Sequence, residues 1–170
     1  HQHYLDEIAI IESAQRTQSP IADKRSPWFA FPQDDFGAVL SGLRDEVEER
    51  AYLAIVAATE AILQVDFKSR VRARRNTLLS RTARHLVKKR TEAGKRVEVK
   101  DILDRWKDAA DAKRGPISEF LQLLTYRHWL AHGRYFKNTA GVPTDPEYAF
   151  ARATACLDEL VRLDPAFPRT

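Results

Sequence analysis

The sequence predicts an all-α bundle of about five to six helices, with two long antiparallel helices as its spine. Three observations point there. Apolar residues recur at helical spacing nearly throughout, no stretch alternates as a strand would, and no internal repeat is visible. The chain has 170 residues, 44% of them apolar and three of them Trp, which is enough for one sizeable core in a single domain spanning 1–170.

Residues 4–16 carry Leu5, Ile8 and Ile11 at helical spacing before polar punctuation. Residues 20–33 hold three prolines with Trp28, Phe29 and Phe31 between them, a loop whose aromatics are expected to pin it to the body. From Asp34 and Asp35, which suit a helix N-terminus, the positions Phe36, Val39, Leu40, Leu43, Val47, Ala51, Ala54, Ala58, Ala61, Ile62 and Val65 trace a stripe on one helix of about 30 residues. A basic helix over 67–91 is expected to follow, with a thin apolar stripe of Val71, Leu78, Leu79 and Leu86. Residues 92–96, with Gly94, form a turn, and 99–113 are helical through Ile102, Leu103 and Trp106. Gly115 stops that helix, and Pro116 suits the first turn of a helix over 116–132. Thr144 and Glu147 match a capping box that opens a last helix ending near Leu163.

Charge is unevenly placed. The formal net charge is +4, yet residues 68–100 hold thirteen Lys and Arg against two acids, a net +11, leaving −7 on the rest. Such confinement suits an anionic partner, and Arg, nineteen of the 28 cations, suits bidentate phosphate contact. The competing reading is a solvated helix face. The single cysteine, Cys156, excludes an internal disulfide framework and reads as an inert core residue. No apolar run approaches a membrane span and no signal-peptide core is present, so a cytoplasmic protein without membrane contact is expected. The chain begins at His1 and lacks Met entirely, the expectation for a piece excised from a longer chain.

The helix over 116–132 is the most informative segment. Phe120, Leu121, Leu123, Leu124, Tyr126, Trp129, Leu130 and Ala131 cover most of its circumference, yet Arg127, His128 and His132 lie in its second half. An Arg in such surroundings needs an anionic partner, so either a buried carboxylate pairs with it or it faces a cleft. Glu60, the acid in the alanine-rich half of the long helix, is the candidate carboxylate. Arg127 and His132 are five apart, about 140° around an ideal helix. They can converge on one ligand if the helix end loosens at Gly133 or a partner chain supplies the facing wall. The pair suits phosphodiester chemistry: Arg binds a phosphate whose charge grows in the transition state, and His exchanges protons near neutrality.

The stretch Leu124-Thr125-Tyr126-Arg127-His128-Trp129-Leu130-Ala131-His132-Gly133-Arg134-Tyr135 resembles the signature of the HEPN superfamily (higher eukaryotes and prokaryotes nucleotide-binding). That family consists of small all-α bundles, many of them metal-independent endoribonucleases of toxin–antitoxin, phage-defence and RNA-processing systems. Its motif is Arg, four to six residues, then His, commonly with a polar residue after the Arg. The resemblance implies a homodimer that brings two motifs into one cleft, and cleavage through the ribose 2′-hydroxyl to a cyclic phosphate and a 5′-hydroxyl. It gives Arg127 the scissile phosphate, His132 the acid/base role, His128 a supporting hydrogen bond, and Arg134 and Tyr135 substrate contacts. It further implies control by an antitoxin or a fused sensor domain.

The basic helix then offers Arg70, Arg74, Arg81, Arg84 and Lys88 as RNA contacts. No cofactor is expected. His128 and His132 have a metal-ligand spacing, but Cys156 or His85 would have to complete the set, so no metal is assigned. Gly94-Lys95 lacks the rest of a P-loop, and no serine lies in a nucleophile-elbow pattern. Two other readings stand beside the ribonuclease: a non-catalytic helical module that binds RNA or a partner protein, and an Arg127 buried in a structural salt bridge.

Overall fold

A computed structural model of the chain describes residues 6, 8–10, 13, 33–108, 112–131, 145–165 and 167. All regular structure among them is helical, so the all-α class holds. Helix α1 is described at residues 6, 8–10 and 13; then come α2 (Gln33–Ala73), α3 (Leu78–Glu92), α4 (Val99–Lys107), α5 (Arg114–Ala131) and α6 (Pro146–Leu163). The loop 20–32, Thr144, His132, Arg134 and Tyr135 lie outside the described residues. Two compact units divide the chain, His1–Ala51 and Tyr52–Thr170, with α2 contributing to both. In the first, Ile8 and Leu40 are buried with Leu43 beside them. The second holds the main core.

Helix α2 has 41 residues and runs past the expected end into the basic block. The block is therefore not one helix over 67–91. Its first part forms the last turns of α2, and the chain then breaks at residues 74–77 before α3. Arg74 takes a left-handed backbone (φ 48°), and Thr77 caps α3, its hydroxyl accepting from the Ser80 amide at 3.3 Å. Arg84 donates to the Arg75 carbonyl at 3.0 Å and closes the corner. Asn76-Thr77 ahead of Leu78-Leu79 is a helix-start signature, and like charges at Arg72, Arg74 and Arg75 oppose continuation.

The buried face of α2 also differs from the stripe read in the sequence. Tyr52, Val56, Thr59, Leu63, Asp66, Phe67 and Arg70 face inward, whereas Ala54, Ala58, Ala61 and Val65 are exposed. The same core cluster holds Leu79, Ala83 and Leu86 of α3, Ile102, Leu103 and Trp106 of α4, Ile117, Phe120, Leu123 and Tyr126 of α5, and Ala149, Ala153, Cys156 and Leu160 of α6. Consecutive helices from α3 to α6 pack on one another. Helix α4 ends at Lys107 rather than continuing to 113, and α5 begins at Arg114, with Gly115 inside its first turn rather than ending the preceding helix. Asp145 is the observed cap of α6, its Oδ1 accepting from the Glu147 amide at 2.8 Å, with Pro146 in the first turn.

Arg70 departs most from expectation. It is 4% exposed, with Nε 2.5 Å from Asp66 Oδ2 and Nη1 on Asp164 Oδ2. Its guanidinium lies 6.0 Å from the Trp106 ring and 5.8 Å from the Phe167 ring. A cation enclosed this way cannot reach RNA, so Arg70 is removed from the candidate contacts. Burial raises the Asp66 carboxyl above its ordinary value while the Arg70 hydrogen bond opposes the rise.

Cys156 is buried, and burial together with nearby Glu159 pushes its thiol up to about 12, consistent with an unreactive core residue. Glu159 has the opposite shift. Hydrogen bonds from Arg162 at 2.6 and 2.8 Å, reinforced by the Lys113 amide at 2.6 Å, hold its carboxyl below 4.5 despite burial.

Arg70→Ala removes the ion pairs that Asp66 and Asp164 make in the buried cluster and is expected to cost about 3–5 kcal/mol, seen as a large drop in Tm. The triple change Arg70→Met, Asp66→Leu, Asp164→Leu should recover most of that loss. For Glu159, a depressed folded pKa contributes stability that is present above the unfolded pKa and lost as pH falls through the folded one. Thermal melts at decreasing pH, starting above 4.5, should therefore show a steeper fall for wild type than for Glu159→Gln.

Candidate functional site

The site begins with the placement of α5. Its inward positions Ile117, Phe120, Leu123 and Tyr126 recur every three residues and are buried. The Tyr52 hydroxyl donates to the Leu123 carbonyl at 3.2 Å, and the Tyr52 and Tyr126 rings meet edge to face at 5.0 Å. Trp129 stacks on Tyr126 with centroids 5.4 Å apart. These contacts set the rotation of α5, and Arg127 and His128 follow on its partly exposed flank. The helix is thus not buried all round: Gln122, Thr125, His128 and Ala131 are exposed.

Arg127 finds the carboxylate anticipated for it. Its Nε lies 3.2 Å from Glu60 Oε2, with the two side chains 38% and 20% exposed. Those exposures make it a pair at a cleft rim rather than a buried structural bridge. Arg127 donates no hydrogen bond through Nη1 or Nη2 to any described residue, which leaves the terminal edge needed for bidentate phosphate contact.

Both residues line a cleft of about 650 Å³. Glu60 and Gln64 come from α2, and Leu121, Leu124, Thr125, Arg127 and His128 from α5. The turn before α4 and the start of that helix add Arg96, Val97, Glu98, Val99 and Lys100. The volume lies within the range of small-ligand sites, and the lining joins apolar surface to three cations and two carboxylates. No protein-family model, characterised protein or solved structure matches the chain.

His128 is exposed at the cleft, while His132, its expected acid/base companion, lies outside the described residues together with Arg134 and Tyr135. Arg74 and Arg81 are exposed, Arg84 is half-buried at the α2–α3 corner, and Lys88 is exposed with Nζ 3.9 Å from Glu92. None of these four lines the cleft. No group of three or more potential metal ligands occurs among the described residues. No described helix is long and apolar enough to cross a membrane.

Sequence reasoning did not single out Arg96 and Lys100. They close the basic block just after Gly94, whose positive φ of 65° turns the chain, and only the fold brings them to the α5 motif.

The exposure of the Glu60–Arg127 pair sets its energetic weight. A double-mutant cycle with Glu60→Ala and Arg127→Ala should give a coupling below about 1 kcal/mol in thermal or urea unfolding. A coupling of several kcal/mol would restore the purely structural reading of Arg127.

Proposed function

We propose that this chain is a metal-independent endoribonuclease of the HEPN type, acting as a homodimer. The observation that supports this most is the placement of Arg127 at a cleft rim, oriented by Glu60 and followed by His128, with His132 five residues on in the sequence. In the proposed reaction His132 removes the proton from a ribose 2′-hydroxyl, and that oxygen attacks the adjacent phosphorus. The bond to the 5′-oxygen breaks, and the leaving oxygen takes a proton from the second motif of the dimer. The products are a 2′,3′-cyclic phosphate and a 5′-hydroxyl end, with no metal or redox partner required. Arg127 neutralises charge gathering on the phosphoryl oxygens, and Glu60 holds its guanidinium by Nε so that the terminal amines face the substrate. His128 supports the site by hydrogen bonding. Such activity suits a toxin or phage-defence effector restrained by an antitoxin or a fused sensor domain.

One observation favours a second reading, a non-catalytic module that binds RNA or a partner protein. The cations Arg74, Arg81 and Lys88 are exposed and do not line the cleft, and binding through them would persist without His132.

The test is to incubate RNA with wild type, Arg127→Ala and His132→Ala in excess EDTA. Wild type should cleave and leave cyclic-phosphate and 5′-hydroxyl ends, and each variant should lose about 10²-fold or more in rate. Cleavage unchanged in both variants, or abolished by EDTA, would overturn the ribonuclease reading. RNA binding without cleavage would favour the second.

A further inference from the structure

We propose that Arg96, assisted by Lys100, is the substrate-positioning wall of this cleft and holds a phosphate of single-stranded RNA next to the one bound by Arg127. The proposal rests on the reading of the cleft as an RNA site and deepens it.

The cations of the cleft differ in how far they are already engaged. Arg127 already shares its charge with Glu60. Lys100 Nζ lies 2.7 Å from Asp104, but that pair is exposed at 70% and 38%, so a phosphate can compete for the ammonium at little cost. Arg96 is exposed and makes no ion pair or hydrogen bond with any described residue. It is the cleft's uncommitted guanidinium, and a guanidinium is weakly hydrated and shaped for phosphate oxygens.

A positioning residue must itself be positioned. The segment carrying Arg96 is tied on both sides. The Gly94 amide donates to the Thr91 carbonyl at 3.0 Å, and the Lys95 amide to the Arg90 carbonyl at 2.9 Å. Asp101 Oδ2 accepts from the Glu98 amide at 3.0 Å, and Oδ1 pairs with Arg90. The backbone of a short turn is thereby fixed at both ends, and Arg96 projects from between them.

A cleft of about 650 Å³ between helices can admit a nucleotide of an unpaired strand, with Leu121 and Leu124 offering apolar surface to a base or ribose. A base-paired duplex presents its phosphates on a broad convex surface and would not enter. The cations of α3 differ here, since Arg81 and Lys88 lie on helix surface outside the cleft and can attract RNA without selecting its form.

The experiment uses a fluorescently labelled 2′-O-methyl RNA strand, which cannot be cleaved through the 2′ position, so binding is read apart from catalysis. Anisotropy titrations across a range of salt concentrations compare wild type, Arg96→Ala, Arg96→Glu and the double change Arg96→Ala, Lys100→Ala, each checked for folding by thermal melt. The expected result is binding weakened about tenfold or more in the double variant and further in Arg96→Glu. The slope of log Kd against log salt should fall by about 1, as removal of one or two phosphate contacts requires. Wild type should prefer the single strand to its duplex. Unchanged affinity and slope in the variants, absence of wild-type binding, or a preference for duplex would each overturn the proposal. Failure of the nuclease reading is separately visible: unmodified RNA would be bound through Arg96 and left intact.

Discussion

The geometry of the site depends on how α2 is held, and the strongest constraint on α2 is the buried guanidinium of Arg70. It joins α2 to Asp164 at the end of α6, to Trp106 of α4 and to Phe167, while Asp66 supports it from one turn earlier. Eighteen residues upstream the Tyr52 hydroxyl engages α5. Eighteen residues are five full helical turns, so Tyr52 and Arg70 project along one line of the helix. Glu60 lies between them and about 80° to one side, on the flank that faces Arg127. Rotating α2 enough to move Glu60 would therefore break a buried ion cluster and a buried hydroxyl contact together. A weak, partly exposed ion pair is kept in register by strong interactions to either side.

This arrangement explains what could be read from the sequence and what could not. The α5 motif was legible because charge inside an apolar run is conspicuous, and a carboxylate partner for Arg127 followed from the cost of leaving it unpaired. The inward face of α2 was not. Alanines occur on several sides of that helix, so hydrophobicity alone hardly distinguishes them, and size decides instead. Tyr52, Leu63 and Phe67 fill the core, while the smaller Ala54, Ala58 and Ala61 remain outside. Asp66 and Arg70 lie on the inward face because each neutralises the other, and a pattern that scores charge as solvent-facing must misplace both. The break at 74–77 was legible in principle, from the cap pair Asn76-Thr77 and the crowded arginines, but the periodicity of Val71, Leu78 and Leu79 masked it.

The basic block changes meaning once it is folded. Counted in sequence it is a single field of +11, but in the structure its charges have separate duties. Arg70 is enclosed, Arg90 pairs with Asp101, and Arg84 braces the α2–α3 corner. Arg74, Arg81 and Lys88 remain on the surface, able to draw a polyanion inward without distinguishing one from another. Arg96 and Lys100, at the end of the block, reach the cleft.

That last placement removes a separation the sequence suggests. About thirty residues lie between Arg96 and Arg127, and a reading along the chain assigns binding to one segment and chemistry to another. The fold does not keep them apart, because the turn before α4 and the second half of α5 line the same cleft. In the proposed ribonuclease, a cleft built this way would tie capture to cleavage. On that proposal, a phosphate held by Arg96 would place its neighbour near Arg127, and the binding free energy gained at the first would limit the freedom of the second. Recognition would then act on the chemical step, and a substrate able to fill only one of the two positions would be held without being cut.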